Sequence, residues 1–188
     1  MKDVVKKLKD NNFRNWNPDK FNWKKGSKYL ATYCPEYFFI WWDANKFNWQ
    51  DASNELAAFC TEYFDVWWNP DKFNWDTGSD ALATFCKKYF KKWWNPDKFN
   101  WKYCSGIMAR KYKDYFNDWF DSNKYNWKDF SYPIIKYCFQ YSEDYWFDNG
   151  RFNFEDIEAT KEIARIAREL NQKRCLEEML EDMEQDEW

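Results

Sequence analysis

Apolar and polar positions in this chain recur at a fixed interval. The block Trp16-Asn17-Pro18-Asp19-Lys20-Phe21-Asn22-Trp23 returns as Trp42 to Trp49, Trp68 to Trp75 and Trp94 to Trp101, and in altered form as Phe120 to Trp127 and Phe147 to Phe154. The first five copies start 26 residues apart and the last starts 27 after its predecessor. Between blocks a second set recurs: Ser27, Leu30-Ala31, Cys34, Tyr37-Phe38 and Trp41-Trp42. It reappears from Ser53 to Trp68 and from Ser79 to Trp94. Its members lie three or four apart, the spacing of one helical face, and strand alternation is absent. A fixed period of this length marks a tandem-repeat architecture.

Each unit reads as two helices. Asn22 is a good N-cap, so Trp23 opens a first helix carrying Ser27, Leu30 and Ala31. Pro35 suits the first position of a second helix, Glu36 to Trp42, because that position has no intrahelical N–H bond to lose. The Asn17-Pro18-Asp19 segment makes the turn between units. Pro133 falls inside the first helix of the fifth copy, where a start at Ser131 accommodates it better.

A unit this small cannot bury its own apolar face, so copies must stack and the ends must be capped. The expected fold is all-α: an α-solenoid of about six two-helix repeats over residues 16–154, between two caps. Residues 1–15 hold an N-terminal cap helix with Val4, Val5 and Leu8 facing inward. Residues 155–188 form a C-terminal capping helix, about 157–183, with Ile163, Ile166, Leu170, Leu176, Leu180 and Met183 at helical spacing.

The order Trp23, Leu30-Ala31, Pro35 resembles the short two-helix tandem repeats, of Phe-Asn-Trp type, found in proteins of phages, giant viruses and bacteria. The resemblance covers most of residues 13–154. It implies the stacked architecture, and a phage or viral setting in which such a scaffold would inhibit a host factor.

Composition sharpens this picture. The 15 Trp, 18 Phe and 13 Tyr supply the apolar area as rings, each able to bury about 150–250 Å². The net charge of −3 hides an asymmetry: residues 155–188 carry 12 acidic and 5 basic side chains, leaving a mildly basic body before an acidic tail. The tail reads as a solvating segment or, alternatively, as a nucleic-acid mimic. Its acids oppose the dipole at a helix C-terminus, so that end should fray. No signal-peptide pattern and no run of about 18 apolar residues is present, so a cytoplasmic location is expected (host cytoplasm if viral).

Candidate chemistry is sparse. With no His and only 4 Gly there is no metal-ligand cluster, P-loop or dinucleotide fingerprint, and the chain reads as a non-enzyme without cofactor or metal. Cys34, Cys60, Cys86 and Cys138 share one repeat position, which Tyr112 takes in the fourth copy. Helices about 8–10 Å apart are too distant for disulfides, so these thiols should be buried fillers, whereas Cys104 and Cys175 lie off that position and should be more accessible.

Two sets of residues are candidates for binding. Lys20, Lys46, Lys72, Lys98, Lys124 and Arg151 align as a basic row, readable as a groove for single-stranded nucleic acid or as stems covering the rings and pairing with neighbouring Asp or Asn. Because a residue present in every unit serves the unit, recognition should lie at the positions that vary. These include Lys24, Lys25 and Tyr29 in the first copy, and Gln50, Asp51 and Glu55 in the second. Asp76 and Asp80 in the third and Lys102 and Tyr103 in the fourth complete the set. Their mixture of charge signs and rings favours a protein partner.

Overall fold

The computed structural model describes residues 1–141 and 155–185, and the side chains of 140, 170, 171 and 174–185 are not among those described. The described elements are helical, and they form two compact units, Met1–Asp121 and Ser122–Trp188. None of the described helices is long and apolar enough to cross a membrane.

In the first unit, α1 (Lys2–Asp10) packs on α2 (Trp23–Tyr33). The 11-residue helices α2, α4 (Trp49–Phe59), α6 (Trp75–Phe85) and α8 (Trp101–Lys111) then stack on one another in turn, the tandem packing of an α-solenoid. Each is followed by a short helical segment. A 3₁₀ turn, Pro35–Tyr37 in the first copy, runs into a four-residue helix: α3 (Phe38–Trp41), α5 (Phe64–Trp67), α7 (Phe90–Trp93) or α9 (Phe116–Trp119). The second helix thus starts and ends one residue earlier than expected, and it is only partly α. Trp42 leaves it with φ −65° and ψ 124°, and its ring stacks on Phe38 at 5.1 Å while meeting Trp49 edge-on.

Repeated hydrogen bonds explain the invariant residues. The Ser27 hydroxyl donates to the Trp23 carbonyl and accepts the backbone N–H of Asn48 in the next unit, at 2.8 and 2.9 Å. Ser53 joins Trp49 to Asn74, and Ser79 joins Trp75 to Asn100, in the same way. The Asn side chains add a second link, as Asn48, Asn74 and Asn100 donate Nδ2 to the carbonyls of Lys24, Gln50 and Asp76 one unit back. Asn22 and Asn74 also accept from first-turn N–H groups of their own helices. Ser53→Ala leaves the Asn74 N–H in a partly buried site without its acceptor, and should lower stability by about 1–3 kcal/mol in urea unfolding.

The core follows the same periodicity. Leu30, Ala31, Cys34, Phe38 and Trp41 are buried, as are their counterparts in the next two copies. Trp41, Trp67, Trp93 and Trp119 each donate the indole N–H to the carbonyl seven residues earlier, at 2.7–3.0 Å. The Cys60 and Cys86 thiols point at the Ala31 and Ala57 carbonyls, and the Tyr112 hydroxyl makes the equivalent bond to Ala83 at 3.1 Å. A phenol therefore replaces a thiol in the fourth copy without losing its polar contact.

Two cap details differ from expectation. Val5 is buried, but Val4 is 47% exposed, since neighbouring residues on a nine-residue helix point about 100° apart. Cys104 is buried as well, at the repeat position that Gly26, Ala52 and Gly78 hold in the first three copies. A Cβ added at Gly26 or Gly78 would lie 2.2 or 2.3 Å from the rings of Phe21 and Phe73, and Ala52 and Cys104 fill the same place in the second and fourth copies.

In the second unit that position holds Phe130, which breaks α10 (Trp127–Cys138) at φ −131° and ψ 26°. The Tyr125 hydroxyl donates to the Phe130 carbonyl at 2.8 Å. The helix resumes at Ser131, which places Pro133 in a new first turn, as its sequence position suggests. There, α10 packs on α11 (Ile157–Gln185), which Asp156 caps by accepting the Ala159 N–H at 3.0 Å. Ala159 and Ile166 are buried. The sixth copy of the block, residues 147–154, lies outside the described residues, and so do the Cys175 side chain and the acidic side chains of the tail.

Candidate functional site

The basic row is built into the scaffold wherever its contacts are seen. Lys46 reaches back to the Asp19 carboxylate at 2.6 Å. Lys72 donates to the Ala44 carbonyl and to Asn45 Oδ1, and Lys98 to the Pro70 carbonyl and the Asp71 carboxylate, each 27 or 28 residues earlier. Each ammonium thus ties its turn to the preceding turn. Lys20 is exposed in the first copy, Lys124 lies in the second unit, and Arg151 is outside the described residues. These pairs are solvated, so Lys98→Met should change stability by less than about 1 kcal/mol in urea unfolding.

The varying positions on the long helices only partly converge. Lys24, Lys25, Tyr29 and Asp51 line an open depression of about 490 Å³ with Lys28 and Met1. Lys28 lies over the Tyr29 ring at 5.3 Å, and Tyr29 stacks on Tyr33. Asp51 accepts from Asn48 Nδ2 at 2.8 Å. The Gln50, Asp76 and Asp80 side chains are exposed along α4 and α6, and Glu55 is half-buried. Lys102 sits over the ring of Tyr103, which is 64% exposed. The remaining six residues are spread over three helices and share no described cavity with the first four.

A second surface escaped the sequence reading. The short helices present Phe39, Ile40 and Val66 to solvent, with Phe39 73% exposed. Phe59 and Phe85 are half exposed at the ends of α4 and α6. Phe59 lines a shallow depression of about 280 Å³ with Pro35, Glu36, Glu62 and Tyr63. Glu36 pairs with Lys9 at 2.6 Å; its partial burial opposes ionisation, but the Lys9 hydrogen bond outweighs this and holds its carboxyl below the usual range. One repeat further on, the same face carries Lys87, Lys88, Lys91 and Lys92. Lys92 pairs with Asp65 at 2.6 Å, while Lys87 and Lys88 lie over the Tyr112 and Tyr89 rings. The available signal, at Phe39, Ile40 and Val66, was an apolar residue in a varying position, where the stacking period does not call for one.

The thiols offer little reactivity. Burial pushes Cys60, Cys86 and Cys104 up to about 12 and Cys34 up to about 11, and Cys34, Cys60, Cys86, Cys104 and Cys138 are free. Among the described residues no group of Cys, Asp and Glu is arranged to hold a metal ion. No family model matches the chain, and no curated protein or solved structure matches it either.

Proposed function

We propose that the chain is a non-enzymatic repeat scaffold that binds another protein on an exposed face of its first unit. The observation that carries this reading is the exposed set Phe39, Ile40 and Val66 on a helical surface whose recurring polar groups already bond within the array. Other copies place Lys91, Lys92, Asn117 and Asp118 at the corresponding positions, so stacking does not require apolar residues there. Adjoining exposed apolar side chains are characteristic of interaction surfaces. The resemblance to phage and viral repeat proteins supports a setting in which the bound protein is a host factor held inactive.

Single-stranded nucleic acid along the basic row is the weaker reading, because Lys46, Lys72 and Lys98 are engaged within the repeats. Immobilised protein incubated with nuclease-treated host lysate separates the two. The proposal expects a defined protein retained through a salt wash and lost when Phe39→Ser and Ile40→Ser are introduced. Retention of nucleic acid instead, with affinity falling steeply with salt, would contradict it.

A further inference from the structure

We infer that the partner segment is apolar at one end and rich in carboxylates at the other, and that it lies along the short-helix face from α3 to α7. The inference rests on the protein-binding reading and specifies the partner's chemistry.

The face changes character along the array. At its first end Phe39, Ile40 and Val66 are exposed, and two of the nearby carboxylates are neutralised within the chain, Glu36 by Lys9 and Asp65 by Lys92. Glu62 stays exposed beside them, so this end suits apolar side chains and repels an anion. At the other end Lys87-Lys88 and Lys91-Lys92 put four ammonium groups within six residues, and Lys113, the counterpart of Lys87, follows on the next copy. Among the described residues, Lys87, Lys88, Lys91 and Lys113 form no ion pair with a carboxylate. Like charges three or four residues apart on a helical surface repel, so this cluster is relieved by an incoming anion.

The two ends are two repeats apart, roughly 20 Å if successive units are spaced like packed helices. About 13 residues of helix or six of extended chain would span that distance. A uniform polyanion fits only the basic end, since Glu62 and the exposed apolar side chains occupy the rest. A segment with separated apolar and acidic halves matches both.

The test titrates the full chain, by fluorescence anisotropy, against three labelled probes. They are a peptide with Leu and Phe in its first half and Glu in its second, the same peptide with Lys for Glu, and an oligothymidylate. The acidic peptide should bind best, and should weaken about tenfold or more both with Phe39→Ser plus Ile40→Ser and with Lys88→Glu plus Lys91→Glu. Unchanged thermal melts would show that both variants remain folded. Equal binding of the two peptides, no binding of the acidic one up to millimolar concentration, or indifference to either variant overturns the inference. Retention of a lysate protein that depends on Phe39 and Ile40 would leave the broader reading standing in those cases. Preferential binding of the oligothymidylate, lost in the Lys88 and Lys91 variant, together with no retained protein, would overturn both.

Discussion

Trp67→Ala should lower stability by about 3–5 kcal/mol, the usual cost of emptying a buried aromatic site. The Trp67 side chain is 1% exposed and its ring packs against Phe64 and Phe73. Its N–H donates to the Cys60 carbonyl at 2.8 Å, so the truncation also removes that bond and leaves the carbonyl with the Tyr63 N–H alone. Trp67→Phe separates the two contributions. It keeps most of the ring volume but loses the donor and part of the bicycle, so it should cost about 1–3 kcal/mol. Urea unfolding of the two variants gives both values, and equal costs would show that volume is not what the indole supplies.

Raising the pH should produce the next largest effect. Cys60, Cys86 and Cys104 are held neutral in the fold and pushed up to about 12 by burial, with Asp80 adding to the shift at Cys104. In the unfolded chain they ionise near their ordinary value, about 8.5–9. Below that value both states bind the proton and pH has no leverage. Above it only the unfolded state releases the proton, so stability falls with rising pH until the folded thiols ionise as well. Each thiol contributes about 1.4 kcal/mol per pH unit in that window, so these three remove about 4 kcal/mol by pH 10, and Cys34, pushed up to about 11, adds to the loss. Burial raises the Tyr112 phenol too, which acts in the same direction at higher pH. Urea midpoints at pH 8, 9 and 10 measure the slope, and replacing the three Cys with Ala should flatten it. Against Ellman's reagent at pH 8 the same thiols should react only on unfolding.

How far the chain could be read from sequence depended on whether the relevant partner was near in sequence. Asn22 as a cap, Pro35 at the start of the second segment and the restart at Ser131 are local matters of backbone geometry, and they were readable. The end of the second helix was not. Its apolar positions Tyr37-Phe38 and Trp41-Trp42 cover little more than one turn, and spacing alone does not say that Trp42 turns out to stack on Phe38. Val4 and Val5 were indistinguishable by type, and only the packing of α1 on α2 chooses between them. The lysine row needed knowledge of groups 27 residues earlier, which stacking brings within 3 Å. Cys104 looked accessible because it lies off the shared cysteine position, yet it takes the buried repeat position that Gly26, Ala52 and Gly78 hold in the earlier copies. The exposed face was missed for a different reason. A ring is not by itself a core residue: Phe39 sits in a varying position, and Phe59 and Phe85 recur 26 residues apart yet are half exposed.

The division that follows is between recurring positions that hold the repeats together and a varying face that is free to bind. It is tested most directly without any partner, by urea unfolding of one variant that combines Phe39→Ser, Ile40→Ser, Lys88→Glu and Lys91→Glu. A face with no part in the fold predicts stability within about 0.5 kcal/mol of the parent chain, the range of ordinary surface substitutions. A loss comparable to that of Ser53→Ala would instead assign these side chains to the scaffold and contradict the division.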